Sequence, residues 1–180
     1  MNRKGLESHA RDWADFFLAN QGPLVAYALS LVGGLPAAED LIQDVLVRMV
    51  RQNRPVRNAK AFVLRCMRNL AIDRRRAAKS RPTMIALDGA DLAVDETGAA
   101  FIDDQSGDPV RRECAQSVKA ALECLPADRR EVIVLKIYAG LTFREIAEIL
   151  DAPIGTVTST YSRGLDELRT VFDSELKHVV

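Results

Sequence analysis

At 180 residues the chain has room for one ordinary domain or two small ones, and an apolar share of 48% allows a packed core and excludes wholesale disorder. No run approaches 18 consecutive apolar residues, and the charged start MNRKGLESHARD lacks an apolar stretch, so neither a membrane span nor a secretory signal is expected. The formal net charge of zero hides a segregation: residues 1–81 hold 15 Lys+Arg against 7 Asp+Glu, residues 82–110 hold 7 acids and no base, and residues 111–180 hold 10 bases and 11 acids. A basic block followed by an acidic one suggests that different parts of the chain meet different partners.

Apolar positions recur at helical spacing over residues 9–32, through Trp13, Phe16 and Phe17 and then Leu24, Tyr27, Ala28 and Leu31. Gln21-Gly22-Pro23 divides that run into two helices, and Gly33-Gly34 marks a turn. Pro36 suits a first helical residue, and Leu41, Ile42, Val45, Leu46, Met49 and Val50 then form one broad apolar stripe as far as about Gln52. Asn53-Arg54-Pro55 ends it. Asn58 can cap a third long helix, from Ala59 to about Lys79, with Phe62, Cys66, Met67 and Leu70 on its core side. From Arg81 to Pro109 no period is sustained, and the acid-rich stretch reads as an interdomain linker of mixed order. A second helical cluster starts near Pro109. No strand pattern or internal repeat stands out, so the expected fold is all-α: two small helical domains, 1–81 and 111–180, joined by an acidic linker over 82–110.

The second cluster contains a helix-turn-helix by spacing and turn chemistry. A helix from Leu125-Pro126 runs through Val132, Leu135 and Tyr138 to Gly140, a good residue for leaving a helix. Thr142-Phe143-Arg144-Glu145 has the form of a capping box, with Leu141 and Ile146 placed as a hydrophobic staple. The short helix that follows ends near Leu150, and Asp151-Ala152-Pro153 turns the chain. The last helix offers Val157, Tyr161, Leu165, Leu168 and Phe172 to the core. Gly155, Thr156, Ser159, Ser162 and Arg163 lie on its other face. These small and hydroxylic side chains would let the backbone approach DNA closely; the same pattern also fits a plain helical hairpin.

Between Arg48 and Arg81 there are 12 Lys/Arg against one acid, Asp73. Arg65, Arg68, Arg75, Arg76 and Lys79 recur on one face of the third long helix. A solvated helix usually mixes signs, so such a face calls for a polyanion, with nucleic acid the first candidate. On the preceding helix Glu39, Asp40, Gln43 and Asp44 lie near the N-terminus, where acids suit the helix dipole and Asp44 can pair with Arg48. The same positions also suit a protein-binding face.

Three cysteines, Cys66, Cys114 and Cys124, show no CxxC pairing, and only His9 and His178 could join them, so no metal site or other cofactor is expected. The cysteines read as buried small hydrophobes in a reducing cytosol, with redox sensing by Cys114 or Cys124 the lesser alternative. No Gly-rich phosphate loop or nucleophile–base pairing points to an enzyme.

Three segments together resemble one family. AAEDLIQDVLVRMVR (37–51), NAKAFVLRCMRNLAIDRRR (58–76) and LPADRREVIVLKIYAGLTFREIAEILDAPIGTVTSTYSRGLDELR (125–169) resemble bacterial RNA polymerase sigma factors of the small two-domain extracytoplasmic-function (ECF) group. The resemblance implies a cytoplasmic, non-catalytic specificity subunit that binds core RNA polymerase and promoter DNA, has an anti-sigma factor as a further partner and inserts in no membrane. It places Asp40, Gln43 and Asp44 against the β′ clamp helices. It places Arg65, Arg68, Asn69, Arg75, Arg76 and Lys79 at the −10 element, with Asn69 at the motif asparagine. In the last domain it places Arg144, Thr156, Thr158, Ser159, Thr160 and Arg163 at the −35 element, beside a surface for the β flap. The linker would run through the polymerase cleft. Three departures accompany it. Asp151 stands where Gly is common, Phe62 where many members carry Trp, and Thr158 and Thr160 where Lys and Arg are common. The alternative function is a helix-turn-helix regulator that binds operators without polymerase, and the polar face of 37–51 argues against it; a helical adaptor that acts only through proteins is opposed by the one-sided basic helix.

Overall fold

The computed structural model describes residues 3–52, 56–80 and 109–178. Eight α-helices follow one another among them: α1 (Arg3–Ala19), α2 (Gln21–Val32), α3 (Leu35–Arg51), α4 (Ala59–Ser80), α5 (Pro109–Glu123), α6 (Ala127–Ile133), α7 (Phe143–Leu150) and α8 (Ile154–His178). No strand occurs among the described residues. The expected ending at Asn53-Arg54-Pro55 and nearly all of the acidic segment lie outside the described residues.

Side-chain caps set some helix boundaries, and glycine, proline and backbone geometry set others. Asn20, not Gln21-Gly22-Pro23, divides the first two helices. Its amide nitrogen reaches the Phe16 and Phe17 carbonyls, and its side chain donates to the Phe16 carbonyl at 2.9 Å. Gly22 and Pro23 therefore sit in the first turn of α2, where a missing N–H costs nothing. Gly33, at φ 85°, closes α2 by donating to the Leu29 carbonyl. Pro36 lies in the first turn of α3, and the Asn58 carboxamide oxygen caps α4 by accepting from the Ala61 amide at 3.1 Å. The capping box is formed in full: Thr142 accepts from the Glu145 amide while the Glu145 carboxylate accepts from the Thr142 amide at 2.7 Å. Asp151 takes the left-handed conformation, φ 54°, that the turn after α7 requires.

Two features depart from expectation. The helix that begins at Ala127 widens after Ile133 into a π-helical turn, Val134–Tyr138, before Gly140 ends it at φ 64°. On α8, Val157 is fully buried but Tyr161, Leu165, Leu168 and Phe172 are only half-buried, while Gly164, which the apolar spacing omits, is buried. A Cβ at Gly164 would stand 2.7 Å from Ile133 Cδ1 and 3.4 Å from Arg129 Cβ, so its bareness lets α8 close on α6. The Arg129 guanidinium and Glu167 carboxylate join the same two helices with an ion pair.

The two helical halves do not stand apart. Leu24, Tyr27, Leu41, Met49, Leu64 and Met67 from the first half share one buried cluster with Val134, Leu135, Leu141, Ile146 and Val157 from the second. Helix α2 packs on α6 and on the π turn, and α4 packs on α7. A smaller cluster of Leu122, Leu125 and Ile133 holds the start of the second half together.

Candidate nucleic-acid and polymerase interfaces

Asp40, Gln43 and Asp44 are exposed on one side of α3, where Ala38, Leu41, Val45 and Met49 are buried on the other. Val47, one turn beyond Gln43, is also exposed and adds an apolar group to that face. Asp44 does not pair with Arg48 as its spacing suggested. Its carboxylate accepts from Arg74 of α4 at 2.5 Å, which ties α3 to α4. The expected protein-facing acids and the expected DNA-facing helix thus lie on two adjacent, packed helices.

On α4, Arg65, Asn69, Arg75 and Arg76 are exposed. Backbone placement puts Lys79 in the last turn of the same helix; its side chain lies outside the described residues. Arg68 differs from its neighbours. Its Nε donates to Glu131 of α6 at 3.1 Å, and the same carboxylate oxygen accepts from the Tyr27 hydroxyl at 2.8 Å. Burial, reinforced by the nearby Glu131 charge, pushes the Tyr27 phenol well above its ordinary range, so it stays a donor. A cleft beside this group is lined by Arg68, Arg75 and Arg76 of α4, Ser30 of α2, and Asp128 and Glu131 of α6.

In the second half Arg144, Thr156, Ser159, Ser162 and Arg163 are exposed, and Thr158 and Thr160 are half-buried. Two of the hydroxyls turn inward to their own helix: Thr158 donates to the Gly155 carbonyl at 3.0 Å and Ser159 to the Thr156 carbonyl at 2.9 Å. Helix α7 is fixed against α8 by the Phe143–Tyr161 ring contact, with centroids 5.4 Å apart. Lys136 steadies the approach. Its ammonium donates to the Leu141 carbonyl at 3.0 Å and lies 4.8 Å from the centre of the Phe143 ring. Glu145 links the halves as well, since its Oε1 accepts from the Asn58 side chain at 2.5 Å. The Thr142 amide, then the Thr142 hydroxyl, Asn58 and the Lys136 charge hold the Glu145 carboxyl below its ordinary range.

Spacing alone missed Tyr27, Glu131, the second role of Asn58 and the tight seat of Gly164. Nothing near Glu131 in the sequence indicates partners 63 and 104 positions away. The cysteines also need correction. Cys124 is exposed and Cys66 half-buried rather than both being core residues. Burial raises the Cys66 thiol, and the Arg48 and Arg65 charges oppose that only in part. The Cys114 side chain lies outside the described residues. Among the described residues, no group of three or more His, Cys, Asp and Glu is placed to hold a metal ion. No single described helix is long and apolar enough to cross a membrane.

The "Sigma-70 region 2" family model matches residues 16–81, and the "Sigma-70, region 4" model matches residues 115–168. The chain is 30% identical over 157 residues to an ECF RNA polymerase sigma factor, EcfG, of Rhodopseudomonas palustris, covering 86% of this chain and 81% of that protein. It is 30% identical over 134 residues to the ECF RNA polymerase sigma-E factor of Escherichia coli K12, covering 72% and 70% of the two chains. Among solved structures, the sigma factor RpoE of Bartonella quintana, in complex with the anti-sigma factor NepR, superposes with a TM-score of 0.63 at 25% identity, over 91% of this chain and 98% of that one. CnrH, in complex with the cytosolic domain of CnrY, shares the fold at 19% identity with a TM-score of 0.62, over 95% and 94% of the two chains.

Proposed function

This chain belongs to the ECF sigma factors, the subunits that direct RNA polymerase to promoters, and from that premise we propose how its two halves divide the work. Residues 1–81 bind core polymerase through Asp40, Gln43 and Asp44 on the β′ clamp helices, and engage the −10 element through Arg65, Arg68, Asn69, Arg75, Arg76 and Lys79. Residues 111–180 read the −35 element through Arg144, Thr156, Thr158, Ser159, Thr160 and Arg163, and pack on the β flap. The acidic segment 82–110 connects them through the polymerase cleft. The protein works in the cytoplasm, performs no catalysis of its own, and is restrained by an anti-sigma factor, the kind of partner seen with RpoE of Bartonella quintana.

The observation that best supports this division is the pairing of opposite faces on adjacent helices. Acids and Gln43 stand on α3, four exposed cationic or amide side chains stand on α4, and the Asp44–Arg74 pair sets their relative position. An operator-binding regulator has no use for the α3 face. In vitro transcription with core polymerase on genomic fragments tests the reading. Specific run-off products that need both core enzyme and this chain are expected; tight, specific duplex binding without polymerase would contradict it.

A further inference from the structure

Arg68 is an arginine of the α4 face that the second half of the molecule already holds. Its guanidinium meets Glu131 at 3.1 Å, and the two side chains are only 24% and 18% exposed, so the pair is shielded from solvent screening far better than a surface pair would be. The same Glu131 oxygen accepts from Tyr27, which is fully buried in the seam between the halves. At the other end of α4, Asn58 caps that helix with its oxygen and donates from its nitrogen to Glu145, the capping carboxylate of α7. Both polar ties reach helix α4, and both end on carboxylates of the second half. We propose that Glu131 is an internal stand-in for a promoter phosphate: by holding Arg68 and Tyr27 it keeps the chain closed and its −10 face incomplete until DNA and polymerase draw the halves apart.

The physical case is competition for one cation. A DNA phosphate and the Glu131 carboxylate both need the Arg68 guanidinium, so Arg68 can serve DNA only in chains where the contact with Glu131 is broken. The apparent affinity of the free chain for DNA is then lowered by the fraction that is open. The apolar seam adds to the closed state without adding specificity, because Leu24 and Tyr27 lie in one cluster with Val134, Leu135 and Leu141. Glu131 supplies a specific part, since it couples closure to a DNA-facing side chain.

This inference rests on the proposed role of Arg68 at the −10 element, and the test separates the two. The full chain, free of polymerase, is titrated with a fluorescein-labelled forked duplex of mixed sequence at low salt, and its radius of gyration is measured by small-angle X-ray scattering. Glu131→Gln keeps an acceptor for Tyr27 but gives up the charge. It is expected to expand the chain and tighten DNA binding about threefold to tenfold, the factor set by the closed fraction. Adding Arg68→Ala to Glu131→Gln is expected to cancel the gain in affinity while the chain stays expanded. Charge exchange guards against simple misfolding: Glu131→Arg should open the chain, and Glu131→Arg with Arg68→Glu should restore its compactness. If Glu131→Gln leaves size and affinity unchanged while Arg65→Ala still weakens DNA binding, the internal stand-in is wrong and the −10 assignment stands. If Glu131→Gln expands the chain but neither Arg65→Ala nor Arg68→Ala alters DNA binding, the −10 assignment itself fails and takes this inference with it.

Discussion

Helices α4 and α8 are both offered to DNA on the proposed reading, and they are built on opposite principles. Helix α4 carries several arginines on one face and has one of them tied to the other half of the molecule. Helix α8 presents Thr156, Ser159 and Ser162 with Arg163 as the one cation beside them, and the Ser159 hydroxyl is satisfied by its own backbone. Phosphate contacts supply affinity without regard to sequence, whereas base contacts supply selectivity. The contrast therefore assigns grip to α4 and reading to α8. On that reading a weak reader would suffice, because a first half already bound would hold α8 near its target at high effective concentration.

The largest expected effect falls on the gripping helix. Arg65→Ala with Arg75→Ala removes two exposed cations and leaves the Arg68–Glu131 contact intact. At about 1.5–3 kcal/mol for each charge-assisted hydrogen bond, promoter opening should fall on the order of 100-fold while core binding is unchanged. Permanganate reactivity of the bubble measures this, and an intact bubble in the double variant would erase the distinction between the two helices. Next in size is Asp40→Arg on α3, which should cut core polymerase capture about tenfold by placing a cation where the proposed interface expects an anion. Undiminished pull-down by core enzyme would move the polymerase contact elsewhere. Asp44→Arg should lose core binding too, but with a lower melting temperature, because it also breaks the pair with Arg74.

The reading helix is held on α6 by close fit as well as by the Arg129–Glu167 pair, and Gly164 tests the fit. Gly164→Leu should destabilise the second half by about 1–3 kcal/mol through overpacking. Gly164→Ala should cost less, since the nearest atom, Ile133 Cδ1, is a side-chain end that can rotate away. Thermal unfolding followed by circular dichroism checks both. Equal stability of the leucine variant would mean that α8 does not sit closely on α6.

Much of this was legible beforehand wherever the determinant is local. Asn58, Thr142, Glu145, Gly140 and Asp151 act within a few positions of themselves, so their roles follow from spacing, and the structure places each as a cap or turn residue. The apolar stripe of α3 and the arginine face of α4 are local in the same sense. The seam between the halves was not legible. Its polar part depends on a phenol from α2, a guanidinium from α4 and a carboxylate from α6 that meet only once the chain has folded. The Asp44–Arg74 pair was missed for a related reason: a neighbour four positions away competes with one thirty away, and only packing decides between them. Gly164 escaped because a glycine gives no periodic signal, and its value lies in what the facing helix brings to it.

The smallest effect expected is one of pH, and it joins the starts of α4 and α7. The Glu145 carboxyl sits below its ordinary value because the Thr142 amide and hydroxyl and the Asn58 amide bond its charged form. Folding therefore releases a proton that the unfolded chain would hold near the ordinary glutamate value, so stability rises with pH across that interval. The contribution is complete above the ordinary value of 4.5 and is lost as pH falls through the lower value of the folded state. Glu145 is partly exposed, so after solvent screening the loss should be about 0.5 kcal/mol or less. The difference in melting temperature between the wild type and Glu145→Gln should be larger at pH 5.5 than at pH 3.5. Because the same carboxylate accepts from the Asn58 side chain that caps α4, the acid step should loosen the starts of both α4 and α7, seen as faster amide exchange at Ala61 and at Glu145 together. Exchange that rises at Glu145 alone would show that the two DNA-facing halves are capped independently.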